Sequence, residues 1–439
     1  MEADARAIAA ERVAALAPRF PDLGLPEFDR TLPAMARAIE QEVRRRWLTL
    51  AAVCEATLDR GGWHRLEPRL QAVLLVGATQ LLFFDEEPDH AVVDSAVGWA
   101  SRRIRRGAGG LANAVLRKIA DARVERLAPG DAKAADFEAS RRLVPRRDGS
   151  AITLAIDVFA EEPIERLAAQ TSHGRELLLH WTNAHGYAAA RSFAAHGLVT
   201  PPTIVGGEAE ELAGEMFTPH RQPGFAVFCG ELSSLAEVLA ARPSSRVQDP
   251  ASAIPVASTA SLRPDRILDL CAGRGTKTRQ LAALHPDATI FAVEPAPARR
   301  ADLEAMAATR PNIKVIDHAD LPSLAGLIDL AVLDVPCSNT AVLPRRPEAK
   351  YRFSRRRLEG LIETQRSIAA AAAPLLAESA AVLYATCSLE PAENERQSSF
   401  IASQLGMRSV VRRLVTPQGR PGGPPAEYAD GGFHDLLQR

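Results

Sequence analysis

Hydrophobic and polar positions along the chain pass through three regimes. In RRWLTLAAVCEATLDR, LQAVLLVGATQLLFF and HAVVDSAVGWASRRI, apolar residues return at three- and four-residue spacing, which predicts amphipathic helices. Gly61-Gly62, Asp85 to Asp89 and Gly107 to Gly110 read as the loops between them. Residues 1 to about 125 therefore read as helices only. From about 126 to 255 the pattern is mixed. Helical stretches at Glu176 to Thr182 and Tyr187 to Ala195 give way to short strand-like runs at Pro202 to Val205 and Phe225 to Phe228. From about residue 262, β-rich runs alternate with helical stretches: Arg266 to Leu270, Thr289 to Val293, Ile313 to Ile316, Leu330 to Leu333 and Ala381 to Tyr384. Such alternation predicts βαβ units and a mostly parallel sheet with right-handed crossovers.

The 439 residues exceed one typical core, so two or three domains are expected, with boundaries at 1–125, 126–255 and 256–439. The net charge of −1 removes a chain-wide basic field, so a nucleic-acid site must be local. Arginine gathers in three runs: Arg102, Arg103, Arg105 and Arg106; Arg141, Arg142, Arg146 and Arg147; and Arg345, Arg346, Arg352, Arg355, Arg356 and Arg357. Each run alone suits a solvated helix face, while three on a neutral chain point to phosphate binding. The five cysteines, Cys54, Cys229, Cys271, Cys337 and Cys387, are odd in number and widely spaced. They suit neither a disulfide framework nor a CxxC zinc site, and no metal is expected. The amino terminus lacks a basic leader and no run is apolar enough to span a bilayer, so a cytoplasmic protein is expected; a monomer is expected as well.

Ligands of open parallel sheets sit at the carboxyl ends of the strands, and that is where the chemistry lies here. RILDL runs into CAGRGTKT, whose Gly273 and Gly275 allow a tight turn and close approach of a ligand to backbone amides. The second strand ends at Glu294, 19 residues after Gly275, a position suited to ribose hydroxyls. Asp317 and Asp320 follow the third strand, and Asp317 is favoured to meet an adenine amino group. Together they point to a nucleoside-containing cofactor. The fourth strand ends Asp334-Val335-Pro336-Cys337-Ser338 and the fifth Ala385-Thr386-Cys387-Ser388. Two cysteines and a carboxylate beside such a cofactor suit methylation of cytosine carbon 5, which a thiolate activates by adding to carbon 6. The base must first leave its stack. The residues alone do not choose between the two cysteines.

Three motifs carry a resemblance. DLCAGRGTKT is similar to DLCAAPGGKT, DVPCSNTAVLPRRPEAKY to DAPCSGTGVLRRHPDIKW, and YATCSLEPAENE to YSTCSLLPEENE, the motifs of the RsmB (Sun, Fmu) family of bacterial small-subunit rRNA cytosine-C5 methyltransferases. LVGATQLLFFDEEPDHAVVDSAV with GGLANAVLRKI resembles that family's NusB-like domain, RVQDPASAIPVA its lead-in segment and DGGFHDLL its last hairpin. The resemblance implies an all-α NusB-like domain, an α+β connecting region and a carboxyl-terminal α/β Rossmann-like class I methyltransferase. It implies S-adenosylmethionine as cofactor, held by Asp269, Cys271, Gly273, Gly275, Lys277, Glu294, Asp317 and Asp334, and small-subunit rRNA as partner. It makes Cys387 the nucleophile, Cys337 the group that assists release, and Asp334 the carboxyl at the base's N3 edge. Arg345, Arg346, Lys350, Arg352 and Arg355 would meet RNA phosphates. Arg274 and Thr276 replace the family's proline and second glycine, and Asn339 and Ala341 replace two glycines of the fourth-strand motif. A protein that kept the fold and lost catalysis is the alternative, and a thiol-redox enzyme a third.

Overall fold

The computed structural model describes residues 4–24, 29, 31–59 and 62–439; Gly61, half of one expected loop, lies outside the described residues. The chain forms two compact units, one comprising 1–200, 343–353 and 420–423, the other 201–342, 354–419 and 424–439.

The first unit opens with five helices: α1 (Ala5–Leu16), α2 (Ala34–Thr57), α3 (Pro68–Phe83), α4 (Asp89–Arg103) and α5 (Arg106–Ala122). Their apolar stripes meet in one core around Trp47, Leu50, Leu74 and Leu116. The expected loop at Gly107 to Gly110 is instead the first turn of α5. The physical reason is close helix packing: a β-carbon on Gly109 would lie 2.0 Å from the Ser101 hydroxyl and 3.0 Å from the Val97 carbonyl. A three-stranded antiparallel sheet (Arg123–Leu127, Leu143–Pro145, Ala151–Leu154) and the helices Pro163–Thr171, Arg175–His185 and Tyr187–His196 complete the run to residue 200.

The second unit carries a seven-stranded sheet: β1 (Arg266–Asp269), β2 (Thr289–Ala292), β3 (Ile313–Val315), β4 (Ile328–Asp334), β5 (Leu376–Thr386), β6 (Arg408–Val415) and β7 (Gly432–Gln438), in the order β3-β2-β1-β4-β5-β7-β6. The first five are parallel; β7 pairs antiparallel with β5, and β6 pairs antiparallel with β7 at the sheet's edge. Both faces are covered, which is why the strands read as nearly continuous apolar runs. Leu268, Ala331, Leu333, Val382 and Tyr384 pack on one side, and Ile267, Leu330, Val332, Ala381 and Leu383 on the other. The chain steps outward from β1 to β3 and returns to β4 on the opposite side of β1, so a crevice opens at the carboxyl ends of β1 and β4. A four-stranded antiparallel sheet (Ile204–Gly206, Phe217–Pro219, Phe225–Phe228, Arg246–Val247) and a helix at Pro250–Ala257 precede β1.

Candidate active site

At the end of β1, Asp269 is 1% exposed. Its Oδ2 accepts from the Thr278 hydroxyl at 2.7 Å, while Oδ1 is buried with no hydrogen-bond partner among the described residues. Burial pushes its carboxyl up to about 6, which the Thr278 hydrogen bond only partly offsets. Gly273 and Gly275 hold φ of 58° and 83°, the left-handed region where glycine costs least. A β-carbon on Gly275 would strike Met306 at 2.4 Å, whereas one on Gly273 would meet nothing within 4 Å. Gly275 caps the helix Thr276–Leu284, whose amino-terminal amides and positive dipole end face the crevice. An orphaned buried carboxylate oxygen, an open glycine and a helix amino terminus fit a nucleoside cofactor with a carboxylate tail. The substituted loop positions are accommodated. Thr276 opens the helix with ordinary backbone angles, and Arg274 pairs with Asp302 at 2.9 Å. Cys271 lies in the same turn, partly buried, with burial and the neighbouring Asp269 holding its thiol protonated.

Glu294 follows β2, is 3% exposed, accepts from the Ala296 amide at 2.8 Å and pairs with Arg299 at 2.9 Å. Asp317 follows β3 and is largely exposed. It pairs with Arg300 at 2.7 Å and shares a reciprocal capping arrangement with Asp320.

Across the crevice, Lys277 on the glycine-loop helix reaches Asp334 at the end of β4, with Nζ and Oδ2 2.7 Å apart. Burial works against the ammonium charge, but Asp334 outweighs it and the pKa sits above the usual lysine value. Because β4 and β5 are adjacent and parallel, with Asp334 opposite Ala385, the two cysteine loops emerge side by side. The Sγ atoms of Cys337 and Cys387 are 3.1 Å apart, and the Cys387 amide donates to the Cys337 sulfur at 3.3 Å. The hydrogen bond that the Cys337 thiol gives to Cys387, and burial, both push the Cys337 thiol well up, so it stays protonated.

Two residues outside the expected site set, Asn339 and Glu393, position this pair. Asn339 sits at φ 60°, the left-handed region where the resembling motif has glycine and where asparagine is tolerated. Its amide donates to the Cys337 carbonyl at 2.8 Å and its Oδ1 accepts from the Cys387 thiol at 3.1 Å. Glu393, fully buried, accepts from the Ser338 amide at 3.0 Å, the Ser388 hydroxyl at 2.6 Å and Gln365 at 3.0 Å, and so ties the two loops together. Burial raises its carboxyl, and the serine hydrogen bonds pull it partly back. The serine after each cysteine and the acidic end of PAENE were the signals available.

The residues expected to meet RNA divide. In the first unit Arg345 is exposed, Arg346 pairs with Glu348 at 3.3 Å, and Arg352 is half-buried. Lys350 has no exposed surface. Its Nζ lies 3.4 Å from the Thr171 carbonyl, and burial with Arg46 and Arg45 nearby drives its pKa well down, so phosphate contact by Lys350 is corrected. In the second unit Arg355, Arg356 and Arg357 are exposed at the start of a helix. Of the earlier runs, Arg141 and Arg142 pair with Asp157, and Arg146 is buried against Asp85. No helix among the described residues is long and apolar enough to cross a membrane, and no group of metal-binding side chains occurs among them.

A mostly parallel sheet with its crevice at the β1–β4 switch point, a glycine loop and strand-end carboxylates define an S-adenosylmethionine-dependent methyltransferase. Residues 259–421 match the family of 16S rRNA methyltransferases RsmB/F, and residues 5–121 match the NusB family. The chain is 32% identical over 369 residues to a putative methyltransferase of Mycobacterium tuberculosis, covering 78% of this chain and 73% of the relative. It is 25% identical over 351 residues to a probable ribosomal RNA small subunit methyltransferase B of Bacillus subtilis, covering 76% and 72%. The crystal structure of PH0851 superposes with a TM-score of 0.68 at 18% identity over the whole of both chains, and a methyltransferase homolog from Pyrococcus horikoshii with 0.51 at 16% over 64% of this chain and all of its own. The chain belongs to the RsmB/F family of RNA methyltransferases, with a NusB domain at its amino-terminal end.

Proposed function

We propose that this protein methylates carbon 5 of a cytosine in small-subunit rRNA through a covalent bond between Cys387 and carbon 6. The observation that carries it is the 3.1 Å approach of Cys337 and Cys387 on adjacent strand ends, beside the Lys277–Asp334 pair. Bound S-adenosylmethionine supplies an electrophilic methyl group on a sulfonium. The Cys387 thiolate adds to carbon 6 and the electron pair of the 5,6 double bond moves toward carbon 5 and N3. Asp334 would sit at the N3 edge, where a proton passed through its carboxyl from the paired Lys277 ammonium meets the developing charge, and Lys277 fixes its orientation. After carbon 5 takes the methyl, a base, here solvent water, accepts its proton, the double bond re-forms and the Cys387 sulfur leaves as a thiolate. Cys337, held as a thiol against that sulfur, assists release.

Asp269 and Lys277 would face the methionine part of the cofactor, Gly273 and Gly275 its approach, Glu294 the ribose and Asp317 the adenine. The segments 1–125, 126–255 and 256–439 act as NusB-like RNA-binding, connecting and catalytic domains. Arg345, Arg346, Arg352 and Arg355 are kept as phosphate contacts. The direct test is transfer from labelled S-adenosylmethionine to naked small-subunit rRNA, mapped by bisulfite sequencing. One new 5-methylcytosine is expected; absence of transfer together with absence of cofactor binding would refute the enzyme and favour an RNA-binding assembly protein.

A further inference from the structure

A cleft of about 520 Å³ lies in the second unit, at the amino-terminal edge of the same sheet. Thr309 to Asn312, just ahead of β3, form one wall, and the helices Pro250–Ala257 and Thr276–Leu284 contribute another. The four-stranded sheet closes the rest, with Pro223 and Ser244 from its loops and Phe225 at the start of a strand. Its size falls within the ~300–1,000 Å³ range of small-ligand sites.

Three arginines line it: Arg246, Arg279 and Arg310, each half-buried. Their hydrogen bonds go to neutral acceptors only. Arg246 donates to the Gln248 side chain, Arg279 to the carbonyls of Pro243 at 3.1 Å and Ser245 at 2.8 Å, and Arg310 to the Met306 carbonyl and the Thr309 hydroxyl, both at 2.9 Å. Among the described residues no carboxylate forms an ion pair with any of the three. Glu208 lines the cleft but is exposed, and Glu211, near enough to act on Arg279, gives its carboxylate to the hydroxyls of Ser244 and Ser245. Burial, then the neighbouring guanidinium (Arg279 for Arg246, Arg310 for Arg279), lowers the pKa of Arg246 and Arg279, as gathered like charges require. Elsewhere the chain gives its buried arginines a carboxylate, as in Arg44–Glu40 and Arg146–Asp85. Here the counter-charge must come from outside.

We propose that this cleft binds the phosphodiester backbone of the RNA substrate at a second point, on the far edge of the sheet from the cysteines. It rests on the RNA-methylating function proposed above. Guanidinium forks suit phosphate oxygens. Phe225 and Pro223 beside them offer a face on which an unstacked base can lie. The two strands that flank the crevice, β1 and β4, are four and seven residues long, so the two edges are separated there by roughly 13–23 Å at ~3.3 Å per residue. An RNA reaching both must extend beyond the target base.

The test uses the full chain, with Arg246, Arg279 and Arg310 changed to glutamine singly and together. Affinity for a long rRNA fragment and for a short oligonucleotide around the methylated site is measured by fluorescence anisotropy across salt concentrations. For the triple variant we expect affinity for the long RNA to fall roughly 10- to 100-fold and its log–log salt slope to shrink by about two, with the short oligonucleotide and S-adenosylmethionine unaffected. An unchanged slope with the long RNA overturns the proposal. So does arginine-dependent binding of cytidine monophosphate or inorganic phosphate with unchanged RNA affinity, which would make the cleft a site for a free nucleotide or phosphate ion. Should the triple variant fail to fold, hydrogen exchange of the wild-type protein decides: RNA must protect 243–246 and 309–312, and lack of protection overturns it. Wild-type methylation in the same preparation separates the two levels. Methylation with an unchanged slope discards the cleft alone; no methylation of any RNA discards the enzyme, while the slope still reports on the arginines.

Discussion

The side-chain carbonyl of Asn339 lies 3.1 Å from the sulfur of Cys387, while its amide is anchored 2.8 Å from the Cys337 carbonyl. One residue, at φ 60°, thus holds both cysteine loops and touches the proposed nucleophile. Asn339→Gly keeps the turn at no backbone cost and removes only the side-chain contacts. We expect kcat to fall roughly 10- to 100-fold, as for a misplaced reacting group, with cofactor affinity and melting temperature nearly unchanged. Full turnover by the glycine variant would reduce Asn339 to a turn residue.

The two cysteines should fail differently. Cys387→Ala is expected to abolish methylation and covalent trapping by a 5-fluorocytosine RNA. Cys337→Ala is expected to accumulate a protein–RNA adduct on denaturing gels, because addition proceeds and release does not. The reverse pattern would exchange their roles.

Sulfur atoms 3.1 Å apart are also an oxidation pair. Hydrogen peroxide would take two electrons and both thiol protons, leaving one S–S bond and two waters. We expect loss of activity, a mass lower by two hydrogens in the joined peptides, and recovery with a thiol reductant. Inactivation that reductant does not reverse would mean oxidation of a single sulfur beyond the sulfenic stage.

Asp334→Asn leaves the Lys277 ammonium without its counter-charge. A fully buried pair broken this way costs about 3–5 kcal/mol; with Lys277 15% and Asp334 30% exposed, solvent screening brings the expectation to roughly 1–3 kcal/mol. Urea denaturation measures it. Lys277→Met together with Asp334→Asn should recover part of the loss, and failure to recover any would show that the pair is not the source.

Two groups give opposed pH signatures. Burial, with Arg413 nearby, pushes His434 down to about 4. The unfolded chain, with a histidine value of ~6.5, then binds the extra proton, so this contribution is present above pH 6.5 and is lost as pH falls toward 4. Asp269 is raised to about 6, so the folded state holds its proton more tightly and its ionisation penalises folding as pH rises from ~4 through 6. Denaturant midpoints for His434→Gln should therefore lose less on going from pH 7 to pH 5 than those of the wild type. Asp269→Asn should lose more over the same interval, since it has been relieved of its penalty at neutral pH, and should bind cofactor poorly. Parallel curves for all three proteins would dismiss both assignments.

The catalytic sheet was legible because its strands are apolar on both faces and end in unusual residues: Asp269, Asp334, Cys337 and Cys387 all stand where the chain pattern put them. Arg408–Val415 escaped notice because it is an edge strand, exposed and interrupted by arginines, with no buried face to impose alternation. Lys350 stands in an arginine-rich stretch that reads as solvated, and only tertiary packing sets its ammonium against the Thr171 carbonyl. Asn339 and Glu393 act through contacts made 48 and 55 residues away, and the arginines of the cleft come from three separate segments, so no local pattern could collect them.

The path between the two cysteines has a consequence for dissection. After Val342 the chain leaves the catalytic unit, contributes 343–353 to the helical one, and returns at Ser354. On that excursion the Tyr351 hydroxyl donates to the Arg44 carbonyl at 2.7 Å and bonds the Ser172 hydroxyl at 3.0 Å. The chain therefore crosses between the two units more than once. A gene fragment beginning near residue 259 would carry Tyr351 without Arg44 or Ser172, and no single cut yields two intact modules. Heat that melts the helical unit also frees 343–353, the segment that leads out of the Cys337 loop.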